Sequence, residues 1–260
     1  MDFQNIKEVA VYGMDFVVDI TRGDDETCRF ISAKEKYFAV QADNGALTVT
    51  QKSNNLLYRI IMRKLEFKLI LPKSFNGRLR FRNKNGGLYI KGGTFGEIDL
   101  STKNGKFDVE GIKCAEISLK MKNGNASLKN TTATDDVNIK CSNGSIRAES
   151  LVVPSLVMSC RNAAGFSAID IKADKLDCST DNGTIDASGI DCPDVKLETS
   201  NGGVNALCLG LRDDYRLSLE TTHGSITLNG TPAKNVTDPV GAKKRIIART
   251  SNGDIDLKFM

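Results

Sequence analysis

Tryptophan is absent from this chain of 260 residues, histidine occurs once and proline only five times. No apolar run approaches the roughly eighteen residues that a membrane-spanning helix requires. The seven cysteines are odd in number and follow no C-x-x-C spacing, so the sequence encodes no zinc site. The first residues, Met1–Asn5, lack the charged and apolar regions of a secretory leader. Odd cysteines and a missing leader both point to reduced thiols and a cytosolic life. Aromatics are 6% of the chain while glycine reaches 23 residues, a balance that suits turn-rich all-β structure.

What the chain does have is a beat. Asn-Gly pairs recur every 19 or 20 residues at Asn85, Asn104, Asn123, Asn143, Asn182 and Asn201, with Ala164-Gly165 filling the gap between the fourth and fifth. Asn44-Gly45, His223-Gly224 and Asn252-Gly253 extend the series to ten beats. Seven and five residues before each Gly stand apolar side chains, such as Leu79 and Phe81, Ile117 and Leu119, or Val195 and Leu197. Two and four after it come pairs such as Leu88 and Ile90 or Ile185 and Ala187, with polar residues between. That is period-two alternation on both sides of a glycine corner. An antiparallel meander is the rival arrangement, since Asn-Gly also marks hairpins. The constant period favours a single parallel β-solenoid of about ten coils, with right-handed winding as the expected hand. Stacked in register, the corner Asn amides can bond to one another in a ladder.

The repeat crosses any midpoint boundary, so 1–260 is expected to be one elongated domain. Residues 1–37 alternate irregularly and are expected to form a cap or irregular first coils. Coils then repeat over 38–230, residues 231–245 form a loop insertion, and 246–260 make the last coil, leaving an open edge at Asp254–Lys258. A strand over 65–71 stops at Pro72, and a short helix is expected at 55–63. Cys160 and Cys178 share the column five before Gly on successive coils, which places them side by side as free thiols.

Leu69-Ile70-Leu71-Pro72, followed by Leu-x-Phe-x-x-x-Asn-Gly-x-Leu-x-Ile at 79–90 and its copies, resembles the bacterial putative-adhesin β-solenoid family. The likeness covers 65–260 well and 1–64 in outline. It implies a solenoid tied to the cell envelope with adhesion as its proposed role, which leaves envelope and cytosol both open as compartments.

Catalytic residues, cofactors and metals are not expected. His223 replaces the corner Asn, and the carboxylates crowded between Asp170 and Asp194 fall at different offsets from Gly, so nothing makes them converge. Charge is more informative. Residues 51–130 hold 17 Lys+Arg against 6 Asp+Glu, whereas 131–222 hold 8 against 14. Lys84, Lys103 and Lys122 share the column two before Gly on consecutive coils, and Arg82, Lys120 and Lys140 recur two residues earlier. Arg82, Lys84, Lys103, Lys120 and Lys122 thus form a candidate polyanion-binding strip. The expected function is a non-enzymatic binding or adhesion module of the envelope that engages an anionic polymer, a lipid surface or a protein. The alternatives are a self-assembling solenoid scaffold and, least favoured, a carbohydrate-active β-helix enzyme. Nucleic acid is disfavoured because no aromatics interleave with the basic columns. A monomer or weak oligomer is expected.

Overall fold

A computed structural model describes residues 1–52, 65–238 and 242–260. The described residues are all-β apart from two single 3₁₀ turns at Glu35–Tyr37 and Arg212–Asp214. Their strands join into one mixed sheet. At the N-terminal end these are β1 (Asp2–Phe3), β2 (Glu8–Tyr12), β3 (Asp15–Arg22), β4 (Cys28–Ile31), β5 (Phe38–Asp43), β6 (Ala46–Gln51) and β7 (Leu65–Leu71). The middle is two long ladders, β8 (Arg78–Ala133) and β9 (Asp136–Asn182), which bridge continuously through several corners. Then come β10 (Ile185–Asp191), β11 (Asp194–Asn201), β12 (Val204–Cys208), β13 (Tyr215–His223), β14 (Ile226–Leu228), β15 (Thr231–Ala233), β16 (Val236–Thr237), β17 (Lys244–Asn252) and β18 (Ile255–Phe259).

Through the middle the pairing is parallel and the register advances by one sequence period. Ile117 lies beside Val137, and Leu176 beside Val195. Each rung contributes two walls that meet at the Asn-Gly corner, and their alternating apolar residues fill the space between. The scarce aromatics gather at one end of this core, where Phe16 packs against Phe38, Phe67 and Phe81, and Phe81 against Phe107. Ile, Leu, Val, Ala, Cys and Met fill most of the remainder, with Phe166 and Tyr215 as the later buried aromatics.

The corner needs glycine because neighbouring rungs approach too closely for a side chain. A Cβ on Gly124 would stand 1.8 Å from the Gly105 carbonyl oxygen, and Gly124 itself sits at φ +133°. A second corner lies six residues after the first on most rungs. There Gly92, Gly111, Asn130, Ser150, Asp170 and Gly189 all adopt the left-handed conformation. This second turn is absent from the expected corners, although Gly, Asn and Asp in one column mark it.

The order of rungs differs from the order of the chain at both ends. β2 lies between β6 and β8, and β3 between β7 and β8, so residues 8–22 form an internal rung. The segment 1–37, expected as a cap or irregular first coils, supplies both an internal rung and, through β4 antiparallel on β7, part of the cover; β5, just beyond it, lies antiparallel on β6. At the other end β17 lies between β11 and β13, and β18 between β12 and β14. The last coil expected at 246–260 is therefore not the open end of the rod. It is a wedge, paired on both sides, and Asp254–Lys258 forms no free edge. The loop expected at 231–245 carries β15 and β16, which pair antiparallel with β14 and β13 and cover the outermost rung. Both ends thus finish in short antiparallel strands, the usual protection against edge-to-edge growth. The strand at 65–71 stands as expected. The helix expected at 55–63 lies outside the described residues.

All seven cysteines are free and buried. Burial raises the Cys28, Cys114 and Cys208 thiols to about 12 and Cys192 to about 11, from an ordinary 9.0. A raised folded-state pKa means that the neutral thiol's contribution is intact below pH 9 and is lost as pH climbs toward 12. Urea midpoints are expected to hold steady to about pH 8 and to fall above about pH 9. Native protein should shield Cys28, Cys178 and Cys208 from an alkylating reagent, and denatured protein should expose all seven thiols.

Candidate functional site

The corner asparagines form one continuous amide ladder. Asn104, Asn123, Asn143, Asn162, Asn182, Asn201 and Asn252 each donate from Nδ2 to the Oδ1 of the asparagine on the rung before, at 2.6–3.0 Å. Asn85 closes the row by donating to the Asp15 carboxylate. His223 stands beside Asn252 on the outermost rung, so it does occupy the corner column.

Asn162 corrects the beat read at Ala164-Gly165. Its amide joins Asn143 to Asn182, and the extra residue sits in the turn, so Phe166 still pairs with Ile185. Columns on that rung shift by two as a result. Cys160 then stacks beside Cys141, and Cys178 falls in line with Met158. The expected Cys160–Cys178 neighbours are therefore not a pair. Cys141 and Cys160 belong to a column of donors aimed at corner carbonyls. Thr199, Thr221 and Thr250 hydroxyls reach Gly183, Gly253 and Gly202 oxygens at 3.0, 2.9 and 2.8 Å. The Cys141 and Cys160 thiols point at Gly124 and Gly144 oxygens at 3.8 and 3.9 Å. The hydrogen bond between these two thiols draws the Cys141 pKa down and pushes that of Cys160 up.

The wall before the corner turns its polar positions, two and four before Gly, to solvent. Lys103, Lys120, Lys122 and Lys140 are exposed there and Lys84 is partly exposed. Among the described residues none of these five makes an ion pair. Arg82 behaves otherwise. Its guanidinium is taken by the Asp99 carboxylate and by the Phe81 and Asp99 carbonyl oxygens. The five-residue strip expected from sequence is thus brought onto one face, but Arg82 is spent on structure and Lys140 extends the free cations to a fourth rung.

Past Lys140 the unpaired cations of this face give way to paired charges. Arg161 pairs with Asp181 at 3.9 Å, and Arg249 lies 3.5 Å from both Glu198 and Glu220. A shallow groove of about 600 Å³ runs here, floored by Cys141 and Cys160 and lined by Ser142, Ser159, Ser179 and Ser200. The carboxylates crowded in sequence are dispersed: Asp194 pairs with Arg245 on one wall, while Asp186 accepts from Asn205 on the other. No group of three or more metal-ligating side chains occurs among the described residues. No helix among them is long and apolar enough to cross a membrane.

Two solved structures align with this chain over nearly their whole length. A putative adhesin from Bacteroides fragilis is 15% identical, with 100% of this chain and 95% of that chain covered at a TM-score of 0.50. A putative cell adhesion protein from Clostridium sporogenes is 11% identical, with 99% and 94% covered at a TM-score of 0.32. Among curated proteins none matches. The Toastrack DUF4097 family model matches residues 6–258, and the chain belongs to that family.

Proposed function

We propose that this chain is a non-enzymatic binding module of the adhesion type, a parallel β-solenoid of about ten coils that holds a linear anionic polymer of the cell envelope against one wall. The observation that carries this is the row Lys84, Lys103, Lys122, Lys120 and Lys140, which spans four consecutive rungs with no partner among the described residues. Like charges at rung spacing repel, and a polyanion turns that repulsion into attraction. A strip one or two side chains wide suits a chain-like ligand better than a membrane plane. The Bacteroides fragilis relative bears the description of a putative adhesin, which agrees with a surface that grips a polymer. Against a self-assembling scaffold stand the antiparallel strands that cover both ends.

Changing Lys84, Lys103 and Lys122 together to Glu is expected to abolish retention on a heparin matrix at low salt while the far-ultraviolet dichroism stays unchanged. Retention of wild type should weaken steadily as salt rises. Wild-type protein that flows through at low salt would sink the proposal. Replacing Arg82 by Gln separates the two roles on this face: retention is expected to persist, with stability lowered by about 1–3 kcal/mol through the orphaned Asp99.

A further inference from the structure

The column two before each ladder asparagine is buried beneath the corner, and its chemistry changes partway along the rod. Oxygen-bearing side chains fill it at Asn83 and Thr102, and again at Thr180, Thr199 and Thr250. Between them Met121, Cys141 and Cys160 put sulfur on three consecutive rungs. Met121 is the register partner of Cys141. Cys160 follows on the next rung, its thiol hydrogen-bonded to that of Cys141. Sulfur ties the corner poorly. Threonine hydroxyls reach the corner carbonyls at 2.8–3.0 Å, whereas the two thiols stop at 3.8 and 3.9 Å. A column whose sole task was to hold the corner would be better served by threonine throughout. Both thiols also floor the groove of about 600 Å³, where Cys141 and Cys160 keep 8% and 3% exposure, while Cys28, Cys178 and Cys208 are wholly enclosed.

We propose that Cys141 and Cys160 form a two-coordinate site for a soft monovalent cation, of which copper(I) is the biological example, held between thiolates of neighbouring rungs. The spacing favours it. At about 2.3 Å for each metal–sulfur bond, a linear sulfur–metal–sulfur unit spans about 4.6 Å, close to the rung step of about 4.8 Å. Thiolate and thioether donors select copper(I) over harder ions, and Met121 places a thioether in the same column on the adjoining rung. Zinc asks for four ligands, and no group of three or more His, Cys, Asp or Glu side chains that could hold a metal occurs among the described residues. Binding exchanges protons for the ion. Two S–H bonds break, two metal–sulfur bonds form, and two protons leave through the groove. The occupied pair then carries one net negative charge, with Arg161 lining the same groove and Lys140 next in sequence to Cys141. The thiol contacts to Gly124 and Gly144 are lost in the exchange, and at their length they cost little. The site stands apart from the polymer reading, because its ligands lie on the buried side of the wall.

The experiment is an anaerobic titration of the reduced full chain with copper(I) held by the chromophoric chelator bicinchoninate. One copper(I) per chain should leave the chelator and raise an ultraviolet thiolate–metal band, while zinc(II) under the same conditions stays unbound. Changing Cys141 and Cys160 together to Thr introduces the residue that this column already uses on other rungs. The dichroism spectrum is therefore expected to stay unchanged while copper affinity falls by more than about 100-fold. Should that chain not fold, Cys160→Ser alone is read in the same way. X-ray absorption of the copper-loaded wild type needs no variant and should show sulfur neighbours only. Copper that stays with the chelator, nitrogen or oxygen neighbours, zinc bound equally well, or a threonine variant as tight as wild type would each overturn the inference. None of these outcomes bears on retention by heparin, which reports on the lysine row.

Discussion

Deleting residues 244–260 is expected to unfold the C-terminal third of the rod, not to fray a single terminal rung. β17 and β18 hold β11 to β13 and β12 to β14, so without them two parallel edges face each other across an empty slot. Ile246, Ile255 and Leu257 are buried in that wedge. At about 1.5–3 kcal/mol for each side chain, their loss amounts to roughly 5–9 kcal/mol before any ladder hydrogen bond is counted. A whole domain is typically stable by only about 5–15 kcal/mol. The measurement is amide exchange on the truncated chain. Protection should vanish from 194 to 228 and survive in β8. Exchange confined to residues 215–228 would show that the β11–β12 rung is stable without its neighbour, and the wedge would then be only a lid.

The second large effect belongs to one hydrogen atom. Gly124→Ala places a methyl group 1.8 Å from the Gly105 carbonyl oxygen, at φ +133°, and both features are unfavourable. Strain of the backbone and overpacking together are expected to cost about 2–5 kcal/mol. Gly92→Ala is the internal control. That glycine also has a positive φ, +71°, but a Cβ there meets nothing within 4 Å. Its cost should stay near the left-handed penalty of about 1–2 kcal/mol. Urea unfolding of the two variants side by side tests this. Equal losses would mean that rung contact at the Asn-Gly corner is looser than the carbonyl distance implies.

The middle of this fold was readable because each residue repeats the environment of its copy one period away. Period-two columns marked the walls, and the Asn-Gly pairs marked the corner and its ladder. The rung order at the ends was not readable, for a physical reason. A parallel rung with Val, Leu or Ile in the inward columns fits beside any other such rung, so Ile246 matches Val195 and Leu217 equally well. Sequence proximity then misleads, since it places residues 8–22 and 244–259 at the margins. The slip at Asn162 has a related cause. The corner was tracked by its glycine, yet the amide is what the neighbouring rungs bind, and Ala163 replaces the glycine there. On the candidate face the lysines were visible as a column, whereas Arg82 could be judged only once Asp99 was seen beside it on the next rung.

Every amide in the ladder points the same way, and that gives the row a sign. Each Nδ2–H faces the rung before and each Oδ1 the rung after, from Asp15 to Asn252. Aligned dipoles add, as peptide groups do along a helix, leaving partial positive charge at the first end and partial negative charge at the last. The positive end meets the Asp15 carboxylate, and the chain's single histidine stands beside the last amide at the other end. The column of asparagines thus works as a side-chain counterpart of a helix macrodipole, with an anion seated at its positive pole.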